Sequence, residues 1–293
     1  QTNPIGRTFQ YDGTTYNTTQ TFSSPPGTSH FINVITPQTL TSVSRYIWKS
    51  WSDGGPQGHD IQPTTDTVVT GNFGMQYMLS VVAGTGGSVT PASAFRDSGK
   101  VDTITAIANT GYHFSSWRGS GTGSYSGTNN PAIVIVNSPV NDTAIFAIDT
   151  LVITSSTGAN GSISPLGTVR VTYGSNQIFN MLPNSGYHAD SIFVDGIYAG
   201  TGSSYTFNNV TTSHTISVKF AINQFTITAS AGPNGTIEPS GVVGFSYGAN
   251  QTFNITPNTG YRIDSVIVDG INQGALTSYA FTNIILNHTI RAV

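Results

Sequence analysis

Residues 183–196 read PNSGYHADSIFVDG and residues 257–270 read PNTGYRIDSVIVDG, two closely similar strings at an interval of 74 positions. The pairing runs without a gap from Leu151 against Phe225 to the last residue. Asn160-Gly161 meets Asn234-Gly235, Tyr173-Gly174 meets Tyr247-Gly248, Ser204-Tyr205 meets Ser278-Tyr279, and His214-Thr215-Ile216 meets His288-Thr289-Ile290. Self-similarity at a fixed period means repeated supersecondary units. Within the string, Tyr187 and Ala189 have one parity and Ile192 and Val194 the other, as do Tyr261 and Ile263 against Val266 and Val268. This predicts a strand interrupted by a bulge near Asp190-Ser191 and near Asp264-Ser265.

A more divergent copy precedes these two. Gly86-Gly87-Ser88-Val89-Thr90-Pro91 lies 74 positions before Asn160 to Pro165, and Asn109-Thr110-Gly111-Tyr112 lies 75 before its counterpart, with one residue of slippage between them. A fourth, more distant unit is read at the start, where Tyr46-Ile47-Trp48-Lys49-Ser50-Trp51 echoes Tyr112-His113-Phe114-Ser115-Ser116-Trp117. The expected organisation is four modules over residues 1–74, 75–149, 150–223 and 224–293. Each reads as β: Phe225, Ile227 and Ala229 alternate with threonines, as do Phe253 and Ile255 with polar residues, and no stretch holds a 3.6-residue period. Asn160-Gly161, Asn234-Gly235, Asp195-Gly196 and Asp269-Gly270 are read as two-residue hairpin turns. The joints at Ala147-Ile148-Asp149 and Ala221-Ile222-Asn223 leave no room for a flexible spacer, so a rod of nearest-neighbour contacts is expected. The last unit stops one residue before the counterpart of Phe220; the expectation drawn is that the native chain continues or that another strand completes it.

Composition restricts the function. Only 8% of residues are charged, with 10 Lys+Arg against 13 Asp+Glu. Roughly a quarter is usual in soluble proteins. Nucleic-acid binding, which needs cations against phosphate, is excluded, and so is a polybasic membrane surface. No apolar run reaches the length of a membrane span, so no membrane insertion is expected. There is no cysteine, which removes disulfides, thiolate metal sites and cysteine nucleophiles. Gln1 is not followed by the charged and apolar regions of a signal peptide, so any such peptide is expected to be removed or upstream.

Few residues are suited to catalysis. His30, His59, His113, His188, His214 and His288 form no metal-ligand spacing. His214 and His288 start equivalent strands and are read as rim residues bonding a loop carbonyl. Asp195 and Asp269 precede turn glycines and are read as satisfying their own backbone. Asp190 and Asp264 lie five residues earlier, and each pair could form a weak calcium site, though without the carboxylate density of a calcium loop. Glu238 is the only glutamate. No G-x-S-x-G elbow is present, and Gly119 to Gly123 is read as a flexible loop rather than a phosphate cradle. The aromatics admit two readings. Trp48, Trp51, Trp117 and Tyr125 could stack on sugar rings among polar neighbours, or Trp51 and Trp117 could be core anchors replacing smaller residues of the later modules. No cofactor is expected.

The order N-G-[ST]-I-x-P, Y-G-x-N-Q, P-N-[ST]-G-Y, V-D-G, S-Y-x-F and H-T-I across residues 150–293 resembles the divergent InlB B-repeat family. Residues 75–148 resemble its sister form with G-Y-x-F-x-x-W, which the W-S-D-G-G of Trp51 to Gly55 commonly accompanies. The first unit lacks the N-G-[ST]-I-x-P turn. The resemblance implies small all-β modules, sandwich-like or a helix-poor relative of the β-grasp, strung along exported bacterial or archaeal surface proteins as spacers, stalks or adhesive segments without catalytic residues. The expected partners are further copies of the chain, or neighbouring domains of a longer one, with glycans as the rival ligand. A carbohydrate-binding accessory region of a secreted enzyme is the alternative role.

Overall fold

The computed structural model describes residues 1–293, all of them in strands, turns and loops, with no helix. The chain divides into two compact units, Gln1–Asp149 and Thr150–Val293. Four separate apolar cores lie along it. One is built within residues 9–73, one within 77–146, one within 151–220 and one within 225–292.

The third core shows the plan most clearly. Strand Thr150–Thr157 and strand His214–Ile222, the first and last of the module, lie side by side and parallel, with Ile153 opposite His214 and Thr157 opposite Val218. Gly167–Thr172 flanks the first strand, and Tyr187–Val194 with its hairpin partner Ile197–Gly200 flanks the last, giving a mixed five-stranded sheet. A three-stranded antiparallel sheet of Gly161–Ser164, Gln177–Pro183 and Ser204–Phe207 forms the second layer. The alternating side chains Ile153, Ile216 and Val218 of one sheet meet Ile163, Phe179 and Phe207 of the other. A parallel first and last strand at the centre of a mixed sheet is the β-grasp arrangement, here with a second sheet where a helix would lie. The fourth module repeats this plan, with Ile227 opposite His288 and Ala231 opposite Ala292.

The second module does the same with strands Gly71–Ala83 and Val140–Ile148. Its first strand is thirteen residues long because it serves two modules. Gly71 to Tyr77 pair with strand Ser44–Trp51 of the first module, and Leu79 to Ala83 pair with Val140 to Ala144 of the second. Elsewhere one residue separates the last strand of a module from the next first strand: Asp149 before Thr150–Thr157, and Asn223 before Gln224–Ala231.

The bulge falls at Asp190, where the change of parity places it. The aligned residues Lys49 and Ser115 are bulged too, which ties the first module to the others. The same two-against-one pattern recurs at Asp264: Asp264 and Ser265 N–H both donate to Val293 O, at 2.8 and 3.3 Å, and Val293 N–H donates to Ser265 O at 2.8 Å, just before the strand Val266–Val268.

The turn readings divide. Asp195-Gly196 and Asp269-Gly270 have both φ angles positive, at 52° and 78° and at 51° and 81°, as a type I′ hairpin requires. Asn160-Gly161 and Asn234-Gly235 are not hairpins: the strands they join belong to different sheets, and each Asn carbonyl instead accepts from Asn184 N–H or Asn258 N–H. Gly161 is needed for clearance, since a Cβ there would lie 2.5 Å from the Phe220 ring; Gly87 stands in the same relation to Phe146 at 2.2 Å.

Candidate functional site

Three type I′ turns carry the same device. Asp12, Asp195 and Asp269 each stand first in an Asp-Gly turn, with φ of 45°, 52° and 51°. Each places one carboxylate oxygen 2.6–2.7 Å from the Nδ1 of a histidine on the neighbouring strand: His30, His214 and His288. The other oxygen accepts the next backbone N–H, from Phe31, Thr215 and Thr289, at 2.7–2.8 Å. The rings then rest on aromatics, His30 on Tyr11, His214 on Phe207 and His288 on Phe281, with centroids 4.9–5.0 Å apart. His214 and His288 therefore bond carboxylates, not loop carbonyls, and Asp195 and Asp269 serve the adjacent strand rather than their own backbone.

The electrostatics follow from these bonds. The His30 and His214 hydrogen bonds, then the Phe31 and Thr215 N–H groups, hold Asp12 and Asp195 below the usual carboxylate range. At Asp269 partial burial works upward, but His288 and the Thr289 N–H outweigh it and the result is again a lowered pKa. Asp190 and Asp264 are exposed and take no part. No three His, Asp or Glu side chains converge anywhere in the chain.

The junctions carry a second repeated device. His188 Nδ1 lies 2.8 Å from Asn223 Oδ1, and Asn223 N–H donates to Gly186 O at 2.8 Å. Asn223 O in turn accepts Tyr247 N–H from the fourth module, whose ring covers Gly186 so closely that a Cβ there would sit 2.4 Å away. In the second module His113 bonds Asp149 at 2.8 Å, and Asp149 N–H donates to Gly111 O. Between the first and second modules the bulge residue Lys49 reaches Asp97 at 2.8 Å and Gln76 also donates to it; the Lys49 bond first, then the Gln76 bond, lowers the Asp97 pKa.

The four aromatics are not one site. Trp51 is 4% and Trp117 2% exposed, each in its own core, at the places filled by Ile192 and Val266 in the later modules. Trp117 has no face open to a sugar, and Trp51 borders the first-module cleft while remaining almost wholly buried. Trp48 is half-buried against the first core, and Tyr125 is half-buried against the second. The loop beyond Gly119 is pinned: Trp117 and Gly127 exchange backbone hydrogen bonds, and Tyr125 N–H donates to the wholly buried Asp142. Burial raises the Asp142 pKa against that one opposing bond, and its Oδ2 has no partner.

A cleft of about 760 Å³ opens in the first module, among them Tyr11, Phe22, Gln20, His30 and Thr65 on its walls. Tyr11 and Phe22 are stacked at 3.8 Å, and Phe22 remains 37% exposed. Sequence reading missed both the cleft and the Asp–His pairs. An Asp-Gly turn followed 18 or 19 residues later by His is the signal that marks the pairs.

Repeated two-layer β modules, closed by parallel end strands and joined without spacers, define a tandem-repeat protein. Residues 77–150 and 225–287 match the family described as the divergent InlB B-repeat domain. No curated protein matches the chain. Among solved structures, the Bacillus anthracis TIE protein aligns over 99% of this chain and 66% of its own, with 11% identity and a TM-score of 0.32.

Proposed function

We propose that this chain is an extracellular, non-enzymatic structural or adhesive element of the cell surface, which associates with its own copies through open sheet edges. The match of residues 77–150 and 225–287 to the divergent InlB B-repeat family supports a surface location. The observation that carries self-association is the edge strand Gly241–Ser246. It reads GVVGFS, contains no charge or proline, and leaves Val242 71% exposed. Edge strands are ordinarily protected by such residues, and an edge without them is suited to strand addition. Low overall charge reduces repulsion between copies. Electron microscopy of concentrated protein, paired with light scattering, tests this: filaments or ordered oligomers are expected, dispersed by Val242→Lys. Monodisperse monomers at high concentration contradict it.

Glycan binding is the second reading, favoured by the first-module cleft, where an aromatic stack stands among neutral hydroxyl and amide groups. A glycan array would then show specific binding that Phe22→Ala abolishes, and no binding by the parent chain removes this reading.

A further inference from the structure

We infer that the modules carry tension along the chain, with each parallel first–last strand pair acting as a shear clamp. The inference concerns the second to fourth modules and does not depend on where the protein is located. The chain enters the third module at Thr150 and leaves at Ile222, and the two strands concerned run in the same direction side by side. A pull between neighbouring modules draws the first strand backward and the last strand forward along a shared axis. Every ladder bond between them is then loaded at once, whereas a pull across their ends would open the bonds one after another.

The ladder is built for this loading. Val152 N–H donates to Ser213 Oγ at 3.1 Å and Gly158 N–H to Val218 O at 2.9 Å, one at each end of the paired segment. Strand alternation therefore turns the N–H groups of Thr154 and Ser156 to the last strand as well. Neither strand is an edge: Gly167–Thr172 holds one and Tyr187–Val194 the other. Ile153, Ile216 and Val218 seal one face from water.

The same five-residue register recurs twice. In the fourth module it runs from Ile227 opposite His288 to Ala231 opposite Ala292, ended by Thr226 N–H to Asn287 Oδ1 and Gly232 N–H to Ala292 O. In the second it runs from Leu79 opposite Val140 to Ala83 opposite Ala144, ended by Gly84 N–H to Ala144 O. Between the third and fourth modules a single residue, Asn223, separates the last strand of one clamp from the first strand of the next.

The absence of cysteine allows handles to be placed at will. In the full chain, Thr150→Cys with Gln224→Cys pulls the third module along its clamp. Ala159→Cys with Gln224→Cys pulls from the same end of both strands and peels them. Single-molecule force spectroscopy should find a severalfold higher unfolding force in the first geometry, with a tether extension of about 250 Å for the 74 released residues. Circular dichroism and equal denaturation midpoints verify that both variants are folded alike. Equal forces in the two geometries, or a higher force on peeling, would overturn the inference.

Discussion

The first module and the third use one skeleton to different ends. Both have the Asp-Gly turn bonded to a histidine, and both have a bulge at the aligned strand position. Yet the first module's opening strand, Thr2–Asn3, makes two register pairs before Pro4, against five in the third. Its buried core consists of Phe9, Ile32, Val34 and Trp51, and a cleft occupies the space beside it. The third fills its interior with Ile, Val, Phe and Met from two sheets. Close packing between layers, rather than the turns, is thus what separates a closed module from an open one.

The largest effect should come from emptying one of the closed cores. Phe253→Ala in the fourth module should cost about 3–5 kcal/mol. All three tryptophans lie in the first two modules, so tryptophan fluorescence reports those alone. We expect the far-UV dichroism transition to move while the fluorescence transition stays in place; a joint shift would show that the cores do not melt separately.

Overpacking comes next. Gly161→Ala drives a Cβ into the Phe220 ring and should cost about 1–3 kcal/mol. Gly244→Ala meets no atom within 4 Å and should be neutral or slightly stabilising. Thermal melts of the two variants compare them, and equal shifts would remove the clearance role of Gly161.

Buried Asp142 occupies the position filled by Ile216 in the third module, and Asp142→Asn keeps an acceptor for Tyr125 N–H without the charge. It should stabilise by roughly 1–2 kcal/mol at neutral pH. Because burial raises the folded pKa, the parent regains this stability as pH falls, and the gain of the variant should vanish below the unfolded value of about 3.9. Denaturation midpoints at pH 7 and pH 3 measure both.

The smallest effect belongs to the turn carboxylates, with the opposite sign. Asp195 and Asp269 have lowered folded pKa values. Their contribution is present above the unfolded value and lost as pH falls through the folded one. Being half exposed, they should contribute on the order of 0.5–1 kcal/mol each. Asp195→Asn with Asp269→Asn should flatten the acid limb of the stability profile; an unchanged limb would mean that the histidine pairs are stability-neutral.

Periodicity and repeats carried most of the architecture. The bulge at Asp190 was legible because a bulge reverses side-chain parity, and the cores because apolar residues alternate. Asn160-Gly161 was misread because a turn dipeptide does not reveal whether the next strand returns to the same sheet. The same reversal marked Asp264, where two N–H groups share the Val293 carbonyl. The Asp–His pairs were invisible because only strand pairing brings together residues 18 or 19 apart, and the cleft because a void is set by loops that have no period.

Native-state hydrogen exchange of individual amides tests most directly whether the parallel end strands close each module. Gly84, Gly158 and Gly232 N–H, each bonded to a last strand, should exchange only with unfolding of their modules, far more slowly than the amides of the edge hairpin Ile197–Gly200. If these three glycines exchange as fast as that hairpin, the parallel pairing does not hold the modules together.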